Sequence, residues 1–152
     1  LCRAIVERGH RVENHGYSHS HALSLFGPTR LLADIAHAQV VLAGISGQVP
    51  GFFRPTAGLR NLFLEPVLCR LGLRLAAWSR RGYDTRQPDP SVVLRRLGRG
   101  LGDGDILLLH DGHAARTAQG QPVLLAVLPL LAQQLRERQL DTVTLHQAID
   151  HA

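Results

Sequence analysis

Residues 28–54 read PTRLLADIAHAQVVLAGISGQVPGFFR, and their reading decides the fold class. Leu31, Ile35, Ala38, Leu42 and Ile45 recur at helical spacing, which predicts an amphipathic helix over Thr29–Ile45. Pro28 stands at the first turn, where its missing N–H leaves nothing unpaired. Gly51–Arg54 then reads as a short strand. The same alternation runs outward in both directions. Leu1–Arg8 reads as the tail of a helix closed by Gly9, and Arg11–Asn14 as a short strand. A helix over Glu65–Leu71 stops at Gly72, a strand covers Leu73–Trp78, and a helix covers Pro90–Leu97. Asp105–Leu109 is a fully buried strand by composition. Pro122–Arg138 is a helix with Leu124, Leu128, Leu131 and Leu135 on one stripe. Thr142–Leu145 is a final strand and His146–His151 a closing helical turn. About five strands alternating with five or six helices argue for a parallel sheet, open or closed into a barrel.

The chain has 152 residues, 45% hydrophobic and 19% charged, which suits one globular domain and excludes a disordered tail. Ile106–Leu109 is short and Val123–Ala132 is broken by Pro129, so no apolar run approaches the roughly 20 residues of a membrane span. Arg3, Glu7 and Arg8 within Leu1–Gly9 do not fit the pattern of a secretory signal, so none is expected in that stretch. The abrupt opening without Met predicts upstream sequence. All 17 residues of the Lys/Arg class are arginine, and the formal charge is +5. The densest groups are Arg80-Arg81 and Arg95-Arg96 with Arg99. The arginines are otherwise scattered and aromatics are only 5%, which argues against a nucleic-acid interface. Cys2 and Cys69 are too few for a disulfide framework.

The chemically interesting residues fall where strands are predicted to end. His15 and His19 follow the first strand, Arg54 ends the next, Trp78 ends another with Asp84 just beyond, and His110-Asp111 follow the apolar run. Parallel α/β folds build their sites at the carboxyl ends of strands. His15 and His19, four apart, suit one Zn²⁺ or a similar metal, or are surface histidines beside a strand end. Position 16 is Gly, so the His-Glu-x-x-His protease pattern is absent. His110, emerging from a buried strand, suits a general acid, or is a satisfied core histidine. Arg54 clamps a carboxylate, or belongs to an ordinary Pro/Gly turn. Asp84 orients a histidine or caps a turn. Trp78 walls a pocket or packs a core.

Taken in order, these segments resemble the polysaccharide deacetylases, the NodB homology domain of carbohydrate esterase family 4. Gly9 through His19 resembles the family's Asn-His-(Ser/Thr)-x-x-His segment. Phe52-Phe53-Arg54-Pro55-Thr56-Ala57-Gly58 resembles its Phe-Arg-Pro-Pro-Tyr-Gly segment. Trp78 through Asp84 resembles the segment with a Trp and a later Asp, and Ile106 through Asp111 its Leu-x-x-His segment. Leu128–Ile149 resembles the terminal helix, strand and turn. The likeness runs from Glu7 to Ile149.

That resemblance implies an α/β distorted (β/α) barrel and metal-dependent removal of acetyl groups from N- or O-acetylated sugars or polysaccharides. It implies His15 and His19 as metal ligands and His110 as the acid that protonates the leaving group. Asp84 would tune His110, and Arg54 would orient the catalytic-base carboxylate. The Ala57 N–H would hold the oxyanion, and Trp78 and Leu107 would line the acetyl-methyl pocket. The expected cofactor is a divalent metal, Zn²⁺ with Co²⁺ or Mn²⁺ as alternatives. The expected partner is an acetylated glycan bound by a monomer, with no nucleic acid and no membrane span. The compartment would be extracytoplasmic for a cell-wall substrate and cytoplasmic otherwise. Three departures bear on this. The family's Asp-Asp segment, which supplies the third ligand and the base, has no counterpart, so residues 1–152 are expected to be a partial domain lacking the first βα unit and inactive alone. Gly16 replaces a Ser or Thr, and Thr56-Ala57 replaces Pro-Tyr. The alternative function is a degenerate domain that binds glycan or metal without turnover. A third, an unrelated α/β domain binding nucleic acid through its basic surface, predicts salt-sensitive binding.

Overall fold

The computed structural model describes residues 1–150. The chain divides into two units, Leu1–Ala77 with Thr144–Asp150, and Trp78–Val143.

In the first unit, helix α1 (Cys2–Glu7) runs out at Gly9, which turns at φ 81°. Helix α2 (Pro28–Ser46) begins at the predicted proline and ends at Gly47, in left-handed conformation, whose N–H reaches the Ala43 carbonyl. Its buried face is Leu31, Ile35 and Ala38, whereas Ile45 at the far end is exposed. Strand β1 (Phe52–Phe53) lies parallel to β2 (Arg74–Leu75), with Phe52 opposite Arg74 and Phe53 opposite Leu75. Helix α3 (Leu64–Arg70) connects them and stops at Gly72, where φ is 66°. Both phenylalanines of β1 are buried, the pattern of a parallel strand covered on two faces. Phe53 packs with Leu23, Phe26, Leu31, Ile35, Leu64, Val67, Leu68 and Leu73 in one core.

Two predicted strands of this unit are corrected. Arg11–Asn14 contributes a single bridge, Asn14 to Phe53. One residue earlier the side chain takes over from the ladder: Glu13 Oε2 accepts the N–H groups of Gly51 and Phe52 at 2.8 and 2.9 Å. Thr142–Leu145 is not a strand. Helix α6 (Leu145–Asp150) starts there, behind a reciprocal cap in which Gln147 Oε1 accepts the Thr144 N–H at 2.9 Å and Thr144 Oγ1 accepts the Gln147 N–H at 3.3 Å. The helix docks through His146, whose Nε2 meets Glu13 Oε1 at 2.8 Å and whose ring stands edge-on to Phe52. A Cβ on Gly51 would come within 2.7 Å of that ring, so glycine is required for this approach.

In the second unit, β3 (Arg80–Arg81) lies parallel to β4 (Leu107–Leu108), with Arg80 opposite Leu107. Helix α4 (Pro90–Gly98) joins them, capped by Asp89, whose Oδ1 accepts the Ser91 N–H at 2.8 Å. Helix α5 (Val123–Glu137) packs against α4 through Val93, Leu97, Val123, Val127 and Leu131. The predicted leucine stripe is shifted: Val123, Val127 and Leu131 are buried, while Leu128 is 44% exposed. Leu131 holds the expected place and Leu135 packs against the core, but Val123 and Val127 take the positions expected of Leu124 and Leu128. Of the apolar run before His110, only Leu108 is fully buried. Strand β3 was not anticipated, because two consecutive arginines do not read as a strand. It forms because Arg80 is consumed at once: its Nε donates to Asp105 Oδ2 at 2.5 Å, and its other nitrogens reach the carbonyls of Arg99 and Gly100.

Asp105 thereby gains three donors. The Ser79 hydroxyl, the Arg80 guanidinium and the Gly102 N–H hold its carboxyl down to about 2. A carboxyl lowered on folding stabilises the fold above its ordinary value of roughly 3.9, and the benefit fades as pH falls towards 2. Asp105→Asn should therefore melt at lower temperature than the unsubstituted chain at pH 7, with the gap closing steadily between pH 4 and 2. Melting curves at matched ionic strength check this; a gap independent of pH would contradict it.

Candidate active site

His15 and Arg54 leave the sheet side by side. Asn14 accepts the Arg54 N–H at 2.9 Å and donates its own N–H to Phe52 at 3.0 Å. The residues just past this pairing come together, and His15 Nδ1 lies 2.5 Å from the Arg54 carbonyl oxygen. A carbonyl only accepts, so Nδ1 carries a proton, and in the neutral ring the lone pair sits on Nε2. A backbone carbonyl on one imidazole nitrogen is the usual outer-shell support of a metal-ligating histidine. His19 stands beside it, ring centroids 4.9 Å apart and nearly perpendicular. Two imidazoles sharing one tetrahedral ion at bonds of about 2.0–2.1 Å have ring centres roughly 5 Å apart, so the pair fits two places of such a site. Among the described residues no third His, Cys, Asp or Glu joins them. The fit is therefore to two of the three protein ligands a catalytic zinc takes.

Arg54 is half-buried, and its Nε has no hydrogen-bond partner among the described residues. Burial pulls its pKa below the ordinary arginine value, yet a guanidinium stays charged near neutrality. Among the described residues, then, no carboxylate is hydrogen-bonded to the Nε of this partly desolvated cation. Following it, Thr56–Gly58 makes a 3₁₀ turn in which Ala57 sits at φ 54°. His19, at φ 47°, and Tyr83, next to Asp84 at φ 58°, share this left-handed conformation. Such strain in non-glycine residues clusters at functional sites.

In the second unit, Asp84 and His110 are brought together. Asp84 is fully buried. Its Oδ2 accepts the His110 N–H at 2.7 Å and its Oδ1 meets His110 Nδ1 at 3.0 Å. Its own carbonyl accepts the Ala115 N–H at 2.8 Å. The His110 ring is about a third exposed, with Nδ1 held inward. Trp78 does not end a strand as expected: β2 stops at Leu75 and β3 starts at Arg80, and Trp78 lies outside both, half-buried, with the Arg81 guanidinium 5.7 Å from its ring centre. Leu107 lies on β4 and packs against the α4–α5 core. The sequence reading missed Asn14 as a supporting residue: its side-chain oxygen accepts the Gly16 N–H at 2.9 Å while its amide donates to Ile35 and Gln39.

The polysaccharide deacetylase family model matches residues 1–76. The chain belongs to the polysaccharide deacetylase family. It is similar to the peptidoglycan-N-acetylglucosamine deacetylase PgdA of Listeria monocytogenes, 27% identical over 118 residues, which are 78% of this chain and 24% of that protein. The chain spans about a quarter of the length of that relative. Among solved structures it is similar to a family 4 carbohydrate esterase from Streptomyces lividans in complex with acetate, with 30% identity and a TM-score of 0.81, covering 93% of this chain and 68% of that one. The fold is also that of a family 4 pseudoenzyme from Bacillus anthracis, with 18% identity and a TM-score of 0.83, covering 96% of this chain and 48% of that one. Among the described residues of this deacetylase-family chain, no helix is long and apolar enough to cross a membrane.

Asp84→Asn should change which His110 nitrogen carries hydrogen, because an amide presents an N–H₂ group as well as an acceptor. The ¹⁵N shifts of the His110 ring check this. An unchanged ring spectrum would remove Asp84 as the group that sets the tautomer.

Proposed function

We propose that this chain is part of a metal-dependent deacetylase acting on N- or O-acetylated sugars or polysaccharides. The observation that carries it is the joint placement of His15, His19 and Arg54 at one sheet end, with the His15 proton pinned by the Arg54 carbonyl. A divalent metal, zinc, cobalt or manganese, held in part by His15 and His19 would polarise an acetyl carbonyl as a Lewis acid. Arg54 orients and charge-balances the carboxylate that takes a proton from the attacking water. The Ala57 N–H donates to the oxyanion that develops on the acetyl oxygen. His110, its Nδ1 held by Asp84, delivers a proton from Nε2 to the leaving nitrogen or oxygen. Trp78 and Leu107 cover the acetyl methyl group. In this reading residues 1–152 are a partial NodB domain, a distorted (β/α) barrel without its first βα unit. The third ligand and the base are carboxylates from outside these residues, and the 152 residues alone are inactive. A cell-wall glycan as substrate, as the name of the Listeria relative suggests, would place the protein outside the cytoplasm.

A second reading, a domain that binds glycan or metal without turnover, is favoured by the two-donor count among the described residues. Assays on acetylated oligosaccharides and peptidoglycan, using the polypeptide together with its carboxylate-bearing segment, separate the two. Acetate release supports the hydrolase; glycan binding without release supports the alternative.

In that active form His110→Ala should keep its metal and lose turnover by about 10²–10⁴-fold, the usual worth of a positioned general acid. Undiminished acetate release by this variant would remove His110 from the mechanism. His15→Ala and His19→Ala should lose metal and activity together, read by metal analysis alongside the assay. Full metal content in either would sink the ligand assignment.

A further inference from the structure

The segment from His15 to Ser20 forms no helix or strand of its own, yet it must hold two imidazoles in fixed relation. Its support comes from helix α2. Asp34 Oδ2 accepts the Tyr17 N–H and Oδ1 accepts the Ser18 N–H, each at 3.0 Å. One turn further along α2, the His37 ring stacks on the Tyr17 ring, with centroids 3.9 Å apart and planes 9° from parallel. Gly16 turns at φ 82°, and a Cβ there would stand 2.9 Å from Asp34 Oδ2. Three consecutive amides, of Gly16, Tyr17 and Ser18, thus end on side-chain oxygens, the first on Asn14 and the other two on a single carboxylate.

We propose that Asp34 is the positioning residue for the His15–His19 pair. Its carboxylate grips the two amides that lie between the imidazoles and so sets the distance and angle between them. This inference rests on the metal reading above. It also explains the glycine at position 16. The hydroxyl that the family pattern places there is replaced by an acceptor from α2, and the carboxylate approaches so closely that a side chain at 16 would collide with it. Hydrogen bonds to an ionised acceptor are roughly twice as strong as neutral ones, and each carboxylate oxygen takes one amide, so the clamp fixes orientation as well as distance.

The test is a titration with Co²⁺ alone, followed by its visible absorption, together with amide hydrogen exchange at Tyr17 and Ser18 before metal is added. The unsubstituted chain should bind Co²⁺, and His19→Ala should abolish the signal. Asp34→Ala should weaken Co²⁺ binding about tenfold or more while speeding exchange of both amides. Asp34→Asn keeps one acceptor and should fall between; it also carries the test should Asp34→Ala fail to fold, as judged by circular dichroism. Equal Co²⁺ affinity in Asp34→Asn and the unsubstituted chain overturns the inference, as does unchanged exchange at Tyr17 and Ser18. Absence of Co²⁺ binding by the unsubstituted chain overturns His15 and His19 as a ligand pair, and the inference with it. A purely structural role for Asp34 would lower the melting temperature and leave the cobalt affinity where it was.

Discussion

The ladder around Phe52–Phe53 is the constraint on which the first unit depends. On one side Asn14 exchanges two backbone bonds with Phe52 and Arg54; on the other, Arg74 and Ala76 donate to Gly51 and Phe53 at 2.9 and 2.8 Å. A strand of only two residues is thus bonded along both edges and buried on both faces. Buried backbone groups must find partners, so the register has no freedom. Once the register is set, His15 and Arg54 leave the sheet together. The Arg54 carbonyl, lying past the last ladder bond, is the oxygen that fixes the His15 proton. The same backbone that closes the fold therefore selects the imidazole tautomer.

The second unit reaches a comparable result with a side chain. Strand β4 ends at Leu108, and the chain must then turn while keeping its amides satisfied. Asp84 supplies both acceptors that His110 uses, one for its backbone and one for its ring. A fully buried carboxylate is costly unless every lone pair it can offer is well used, so its presence here is better explained by orientation of His110 than by stability. The left-handed Tyr83 just before it points the same way: the local backbone accepts strain so that the carboxylate faces inward.

The helices were legible because their signals are local and redundant. Pro28 and a 3.6-residue repeat mark α2, and Pro90 opens α4; the caps at Gly47 and Asp89 come from the structure. The strands were legible only where apolar residues dominate, as at Phe52–Phe53. Arg80–Arg81 escaped because its pairing depends on Asp105, twenty-five residues away, and no local pattern carries that. Thr142–Leu145 reads as a strand because it holds two threonines and a valine, yet Thr144-x-x-Gln147 is a capping box, and the chain follows the cap into a helix. The α5 stripe holds at Leu131 and Leu135 but not at its first turns, where packing takes Val123 and Val127 and leaves Leu128 exposed. At the site, the histidines, Arg54 and Asp84 stood out as residue types at strand ends. Asn14 and Asp34 did not, since each acts through backbone amides that have no signature in sequence.

Arg54 bears on the choice between hydrolase and binding module. Two imidazoles, one with its proton fixed on Nδ1, bring no negative charge to balance a guanidinium. Leaving a buried donor unmatched costs about 1–3 kcal/mol, and more for a charged group. A glycan-binding surface gains nothing from such an arrangement, because sugar hydroxyls are met as well by neutral amides. A hydrolytic site does gain, because its base must stay ionised beside the acetyl group and must be held in one orientation. The shortfall at Arg54 and the shortfall at the histidine pair are of one kind: the first needs an anion, the second a further ligand, and carboxylates meet both. On the proposed reading, carboxylates of the kind the family's paired segment carries would meet both, giving Arg54 its anion and the histidine pair its further ligand.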